Sequence, residues 1–309
     1  MKLLLLFLYI PVLLCSEDSI FHNFERLVFW NNKSFFGQNS DDFAKFQRVY
    51  LNKIDAFLDC QDQDLKIPKV FHFIWLGPKP FPQTSVLNLQ SWMQHHPGWV
   101  FKFWTDSFER SVPLPGMEHH HIHEIAQENQ MLYDRSDNYG EKSDLLRYEL
   151  LFQEGGVYVD HDVFCYRNFD QLNKTYHFYT FMEPPHINLS LNVIFFPSNG
   201  LIGSVPHHPI LARTMEYVRM RWDEAIRAFS GRQTAMRRAA RVMYCTFHSF
   251  YLGVRDLLED AYYENILFPP AFTTSKVYGG NVDYSILFCD HYYAGSWIEE
   301  DTKKSKKGR

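Results

Sequence analysis

The feature that most constrains this chain is the stretch from Gly155 to Asp162, which reads Gly-Gly-Val-Tyr-Val-Asp-His-Asp. The residues before it have a helical pattern, and glycine supplies the left-handed backbone conformation that ends many helices. Val-Tyr-Val favours a strand, so Asp160 and Asp162 fall where that strand ends. Open α/β sheets bind their ligands outside the carboxyl ends of their strands. The stretch therefore predicts two carboxylates at the ligand-binding edge of a sheet.

The two carboxylates are typical of a divalent metal site. Carboxylates this close repel each other unless positive charge lies nearby, and their oxygens suit Mg²⁺ or Mn²⁺. We interpret Asp160 and Asp162 as ligands of an ion that carries a phosphate-containing ligand. A calcium-binding helix-loop-helix is excluded, because Cys165 and Gln171 occupy the positions that need glycine and glutamate. A phosphohydrolase with Asp160 as nucleophile, or a solvated strand end, stays open from this stretch alone.

A charged pair lies just upstream, in the predicted helix Ser143–Phe152. Asp144 and Arg147 are one turn apart and share a face, while leucines and a phenylalanine cover the other sides. Such a helix is largely buried, so we expect the pair to face a cleft. The arginine then binds sugar hydroxyls or a diphosphate, or the pair is an internal salt bridge. The residues alone leave both interpretations open.

Two apolar runs predict a parallel sheet. One extends from Val70 to Leu76 and stops at Gly-Pro, and the other is Trp99–Trp104. The pattern Ser85–His95 between them is helical, which makes a strand-helix-strand unit. Trp75 stands at the carboxyl end of the first strand, where its indole either stacks on a nucleobase or belongs to the core.

Length and composition limit the function classes. The chain has 309 residues, of which 46% are hydrophobic and 17% aromatic, so it can bury a large core. A net charge of −5 gives no overall basic field, and nucleic acid is not expected as a partner.

The first fifteen residues indicate export. Lys2 precedes an apolar run that is too short to span a bilayer comfortably. A cleaved signal peptide at 1–15 is our first interpretation, and a short retained membrane anchor is the second. Either predicts the secretory pathway, with the protein in the Golgi or endoplasmic reticulum lumen or in a bacterial envelope.

The remaining chain is predicted to contain one catalytic domain with helical additions. A helical pattern at Asp41–Leu58 belongs to an N-terminal region, and an arginine-rich helical pattern interrupts the later part of the domain. The predicted divisions are a helical region at 16–65, a catalytic domain at 66–300 with a helical insertion at about 208–263, and a basic tail at 301–309.

Cysteine and histidine do not indicate a zinc site. The tract His119–His123 lacks zinc-ligand spacing and is interpreted as a polar surface segment. Four cysteines follow the signal, without a Cys-x-x-Cys pair. We interpret them as buried, with one disulfide as an open alternative: Cys60, Cys165, Cys245 and Cys289.

Three segments together resemble the signature blocks of glycosyltransferase family 32. They are Phe71–Gly77, Ser143–Tyr148 and Gly155–Val163, and their order and spacing match. That family contains the fungal initiating α-1,6-mannosyltransferases and is similar to the catalytic domain of the clostridial glucosylating toxins. The resemblance covers about residues 66 to 298. It implies a GT-A fold, which is a Rossmann-like α/β fold with a mixed, mainly parallel sheet flanked by helices.

The resemblance also implies an activity and the residues that perform it. The protein would be a retaining hexosyltransferase that uses a UDP- or GDP-sugar and Mn²⁺ or Mg²⁺, with a glycan, lipid or protein as acceptor. Trp75 would stack on the base, and Asp144 and Arg147 would hold the donor sugar and its phosphate side. Asp160 would contact ribose and sugar, and Asp162 would ligate Mn²⁺ across the diphosphate.

Two later segments extend the resemblance. In Pro197–Gly203, Asn199 would face the donor sugar. Near the end of the chain, His291 or Ser296 would complete the metal shell, and Trp297 would cover the phosphates. Two alternatives stay open, a metal-dependent phosphohydrolase and a non-catalytic secreted carbohydrate-binding protein on the same fold.

Overall fold

The computed structural model of the chain describes residues 20–30, 40–59, 64–185, 195–231, 234–277, 280–281, 283–296 and 298. The predicted signal at 1–15 and the basic tail at 301–309 lie outside these residues, as do Cys60 and Trp297. Within the described ranges, every helix is too short or too polar to cross a membrane.

The strands form one large sheet and two small ones. Their bounds are β1 Val70–Ile74, β2 Val100–Thr105, β3 Glu118–His121, β4 Gly156–Val159, β5 Val163–Cys165, β6 Phe178–Met182, β7 Pro197–Ser204, β8 Asn265–Phe268, β9 Lys276–Val277, β10 Gly280–Asn281 and β11 Cys289–His291. The large sheet has seven strands in the order β3-β2-β1-β4-β7-β6-β8. The first four are parallel, β7 runs antiparallel to both its neighbours, and β6 and β8 are parallel.

Helices flank the sheet and form most of the connections. Their bounds are α1 Phe24–Phe29, α2 Asp41–Leu58, α3 Gln83–His95, α4 Gln130–Arg135, α5 Tyr139–Glu154, α6 Asp170–Thr175, α7 Pro209–Ala228, α8 Ala235–Val242 and α9 His248–Leu257. Short 3₁₀ turns occur at Ile20–His22, Ile122–Glu124 and Pro270–Phe272, and Met243–Phe247 is a π-helical turn. The predicted strand-helix-strand unit is therefore confirmed as β1, α3 and β2.

Local chemistry sets the bounds of α5 and the start of β4. The Asn138 side chain accepts hydrogen bonds from the first backbone N–H groups of α5, as an N-cap residue does. The helix ends at Gly155, whose φ is +67°, a conformation that glycine adopts without strain. A Cβ on Gly156 would lie 2.7 Å from the Val70 carbonyl oxygen, so the second glycine allows β4 to approach β1.

The core is one continuous cluster rich in aromatic rings. Phe71 and Phe73 point inward from β1, and the Phe71 ring stacks on Trp99 with 4.6 Å between centroids. The apolar faces of α1 and α2 are buried in the same cluster as the sheet. The N-terminal helices therefore pack on the large sheet, and the domain divisions at 16–65 and 66–300 stay predictions.

The small antiparallel sheet of β5 and β11 brings two distant parts of the chain together. Its register pairs Val163 with His291 and Cys165 with Cys289. The three described cysteines, which include Cys245, are buried and free. The register places the end of β11 directly beside the carboxylate motif.

The histidine tract differs in part from the prediction. Its first three histidines lie in the edge strand β3, in which His119 is exposed and His120 contacts the carboxylates of Glu118 and Glu124, and His123 lies in the 3₁₀ turn that follows. His121, however, is only 4% exposed, and its ring stacks on Phe108. Sequence could not indicate this burial, because it depends on strand pairing.

Candidate active site

A cavity of about 320 Å³ opens where β1 and β4 end. This is the carboxyl edge at which the carboxylates were predicted. The predicted site residues on its wall are Trp75, Asp144, Arg147, Asp160, Asp162, Asn199, His291 and Ser296. The structure thus brings together every predicted site residue that it describes, although their roles stay predictions.

Arg147 connects the helix to the motif. Its Nη2 lies 3.0 Å from Asp144 Oδ1, and its Nη1 lies 3.3 Å from Asp160 Oδ1 and donates to the Asn199 carbonyl oxygen at 2.6 Å. The side chain is almost fully buried. Burial lowers the pKa of the guanidinium, but Tyr158, Asp160 and Asp144 raise it well above its ordinary value, so the group stays charged.

Asp144 is a carboxylate with several donors around it. Asn199 Nδ2 donates to its Oδ1 at 3.0 Å, and the Thr246 hydroxyl donates to its Oδ2. Burial raises the pKa of Asp144 to about 6, although Arg147 and Thr246 act in the opposite direction. The pair forms the predicted internal salt bridge and, as expected, faces a cleft, while binding of a sugar or diphosphate by Arg147 stays a prediction.

Asp160 is held in place by residues of its own sheet. The Tyr158 hydroxyl donates to Asp160 Oδ1 at 2.6 Å, and the Arg147 guanidinium lies over the Tyr158 ring, 4.2 Å from its centroid. On the next strand, a Cβ on Gly200 would lie 2.7 Å from Asp160 Oδ2. Glycine at that position therefore leaves room for the carboxylate.

Asp162 lies beside the C-terminal strand. His291 Nε2 is 3.4 Å from Asp162 Oδ1, and the backbone N–H of Ala294 donates to Oδ2 at 2.7 Å. Burial would raise the pKa of Asp162, but His291 holds it well below its usual range. Burial by itself would lower the pKa of His291. The Asp162 carboxylate outweighs this effect and raises the pKa of His291 to about 9. The two groups form a charged pair.

This arrangement fits a divalent metal ion. Ligand atoms of Asp160, Asp162 and His291 lie within 4.8 Å of one another. Two carboxylates and an imidazole suit Mn²⁺, and an ion at this position would take the place of the proton on His291. One oxygen of Asp162 is already oriented by Ala294, which is the kind of support that metal ligands receive.

The middle residue of the motif is the centre of a second set of contacts. His161 Nδ1 lies 2.7 Å from the Ser85 hydroxyl, and its Nε2 lies 3.0 Å from the Ser296 hydroxyl. The edge of Trp75 meets the His161 ring at 5.0 Å between centroids, and its Nε1–H donates to the Lys79 carbonyl oxygen. Ser296 thus contacts the motif through His161.

Sequence reasoning missed Tyr158 and Glu183 on this wall, and also Thr246, which donates a hydrogen bond to Asp144 but does not line the cavity. Tyr158 lies two positions before Asp160, and the alternation of strand side chains could have indicated it. Glu183 directly follows an apolar strand, and the same position after a strand indicated Asp160. Thr246 comes from the π-helical turn, and no local pattern points to it.

Residues 82–179 match the family model described as a glycosyltransferase sugar-binding region containing a DXD motif. The matched segment contains Asp144, Arg147 and both aspartates of the motif. This segment of the chain is similar to the sugar-binding region of the DXD glycosyltransferases. The predicted GT-A type α/β fold is confirmed in its architecture, which is a mixed, mainly parallel sheet with flanking helices and helical additions.

Three proteins illustrate what this chain is similar to. Inositol phosphoceramide mannosyltransferase 3 of Schizosaccharomyces pombe is 27% identical over 59% of this chain and 44% of that protein. An uncharacterized glycosyltransferase of Acanthamoeba polyphaga mimivirus is 26% identical over 52% of this chain and 58% of its own length. Among solved structures, the PaToxG glycosyltransferase matches 71% of this chain and 80% of that one, with 14% identity and a TM-score of 0.49.

The match is partial in both directions. The chain spans 58% and 44% of the lengths of these two curated relatives. The activity, substrates and partners of the whole protein are therefore proposals.

Proposed function

We propose that the protein is a metal-dependent retaining glycosyltransferase that moves a hexose from a UDP- or GDP-sugar to a glycan, lipid or protein. The observation that carries this proposal is the grouping of Asp160, Asp162 and His291 within 4.8 Å, beside the buried Arg147. The cavity of about 320 Å³ is within the usual range for small-ligand sites.

The donor would lie along the edge of the sheet. Trp75 follows β1 and would stack on the base, and the two aspartates follow the neighbouring strand β4 and would face the diphosphate. Asp144, Arg147 and Asn199 would then contact the sugar and its phosphate side. Trp297 was expected to cover the phosphates, and it stays a prediction.

Loss of the nucleoside diphosphate builds negative charge, which fixed positive groups stabilise. A bound Mn²⁺ or Mg²⁺ would supply Lewis-acid stabilisation of that charge. Arg147 would add to it, because four hydrogen-bonding or charged neighbours hold the guanidinium rigidly at the cavity wall. We also propose that the donor's own phosphate assists the acceptor, which agrees with retention of configuration.

The acceptor class to test first is a phosphoinositol-containing sphingolipid. Relatives in two yeasts are named as inositol phosphoceramide mannosyltransferases or mannosyl phosphorylinositol ceramide synthases. The predicted export of this protein stays a prediction, since residues 1–15 lie outside the described part of the chain.

A test is the release of nucleotide from a panel of UDP- and GDP-sugars with Mn²⁺. We expect release from one donor, loss of release with a chelator, and recovery when Mn²⁺ is added back. Faster release with inositol phosphoceramide in detergent micelles would identify a lipid acceptor. Phosphate release from simple phosphomonoesters, with no turnover of any nucleotide sugar, would contradict the proposal and favour a phosphohydrolase.

A further inference from the structure

Glu183 lines the same cavity but is not among the residues proposed to bind the donor or the metal. It is the residue directly after β6, it is 6% exposed, and its Oε2 has no hydrogen-bond partner among the described residues. Its backbone is fixed, because its N–H donates to the Phe196 carbonyl oxygen at 2.7 Å. An unpartnered oxygen on a buried carboxylate costs free energy, so its place on a cavity wall indicates a donor group from a ligand.

The sheet shows which part of the ligand Glu183 faces. In the strand order β1-β4-β7-β6, Trp75 follows the first strand, Asp160 the second, and Glu183 the last. Neighbouring strands are about 4.8 Å apart, so the ends of β4 and β6 are roughly 10 Å apart, with Glu183 on the side away from Trp75. With the base at Trp75 and the diphosphate at the motif, that distance corresponds to the transferred sugar.

The neighbours of Glu183 agree with this position. Burial raises the pKa of Tyr293, and the nearby Glu183 carboxylate raises it further. Tyr293 in turn stacks on His291, with 4.0 Å between ring centroids. Among the described residues, Glu183 lies outside the cluster of metal-ligating atoms that Asp160, Asp162 and His291 form.

We propose that Glu183 accepts a hydrogen bond from a hydroxyl of the transferred sugar and so helps to select the donor. The inference rests on the proposed function, since it needs a nucleotide sugar in the cavity. A carboxylate acceptor forms a charge-assisted hydrogen bond, which is stronger than one to a neutral group.

The test compares Glu183→Gln with wild type by calorimetric titration in the presence of Mn²⁺. One ligand is the nucleoside diphosphate, and the other is the intact nucleotide sugar preferred in the release assay. We expect the variant to bind the nucleoside diphosphate within twofold of wild type and the nucleotide sugar about 10- to 100-fold more weakly.

A matched control is Glu149→Gln. Glu149 is also a buried glutamate with an unpartnered Oε2, but it lies outside the cavity. This variant should bind both ligands as wild type does. Thermal unfolding of both variants shows whether each is folded.

Donor analogues that lack one hydroxyl give a second readout. Wild type should discriminate against one deoxy sugar, and Glu183→Gln should not, because the contact is already lost. Equal weakening of both ligands by Glu183→Gln would assign a structural or metal-related role and overturn the inference, as would unchanged binding of the nucleotide sugar. If wild type itself binds no nucleotide sugar, the proposed function fails, and the inference fails with it.

Discussion

The two aspartates of the motif are two positions apart but face different cations. Asp160 lies beside Arg147, which comes from the helix just before the strand, and Asp162 lies beside His291, which comes from the end of the chain. The arginine keeps its charge at any physiological pH, whereas the imidazole can release its proton to solvent and bind a metal in its place. The comparison suggests a permanent positive charge on one side of the motif and an exchangeable one on the other.

The largest effect is expected on stability, when Arg147 is replaced. Arg147→Met leaves the carboxylates of Asp144 and Asp160 without their cation, and loss of one partner of a buried pair costs about 3–5 kcal/mol. Urea unfolding at pH 7 measures the change. The control is Arg213→Met, which removes an exposed ion pair with Glu216 and should leave the free energy of unfolding close to that of wild type. Equal decreases in the free energy of unfolding for the two variants would contradict a stabilising role of the buried Arg147 pairs.

The second largest effect is expected on catalysis, when Asp162 is replaced. Asp162→Asn removes a proposed metal ligand, and we expect nucleotide release to fall about 100- to 1000-fold, as when one stabilising group of a transition state is lost. Release assays across a range of Mn²⁺ concentrations measure it. Asp134→Asn, on the exposed side of α4, should retain full activity. An Asp162→Asn variant that keeps its Mn²⁺-dependent rate would contradict the assignment.

The pH dependence of stability tests the charge balance around Asp144. Its pKa in the fold is about 6 and its ordinary value is 3.8, so the folded state holds a proton that the unfolded state has released. The contribution of Asp144 to the free energy of unfolding therefore falls as pH rises from about 4 to about 6, by roughly 3 kcal/mol at most. The charges around it are Arg147, Asp160 and Glu141, together with the Thr246 hydroxyl.

Asp144→Asn should lack this contribution. The free energy of unfolding of wild type and variant should be measured at several pH values. As pH rises from 4 to 6.5, the difference between them should shift in favour of the variant. A constant difference would show that Arg147 fully compensates the burial of Asp144.

The smallest effect distinguishes the two candidates for the metal shell. His291→Gln should weaken Mn²⁺ binding about tenfold, because an imidazole ligand is lost, whereas Ser296→Ala should leave binding within twofold, because that hydroxyl contacts His161. Calorimetric titration with MnCl₂ measures both. A larger effect from Ser296→Ala would reverse the assignment.

The parts of the site that sequence predicted are those whose geometry is local. One helical turn places Asp144 beside Arg147, and a glycine pair followed by three apolar residues places Asp160 at the end of a strand. Both follow from the regular spacing of helices and strands.

The parts that residue patterns could not predict depend on distant pairings. His291 and Ser296 were placed at the site by resemblance alone, because the register of β5 with β11 cannot be read from either strand. Thr246 reaches Asp144 from a π-helical turn 102 positions away, and π-helical turns have no simple sequence pattern. The burial of His121 likewise depends on its place in the sheet.

The pairing of β5 with β11 also has a consequence during synthesis of the protein. Helix α5 and strand β4 are neighbours in the chain, but the segment that contacts Asp162 follows it by 132 positions. At usual elongation rates, that segment leaves the ribosome on the order of 10 s after the aspartates do. Until then the two carboxylates lack their histidine, and closing so long a loop is an intrinsically slow step. Metal affinity should therefore be among the last properties that a nascent chain acquires.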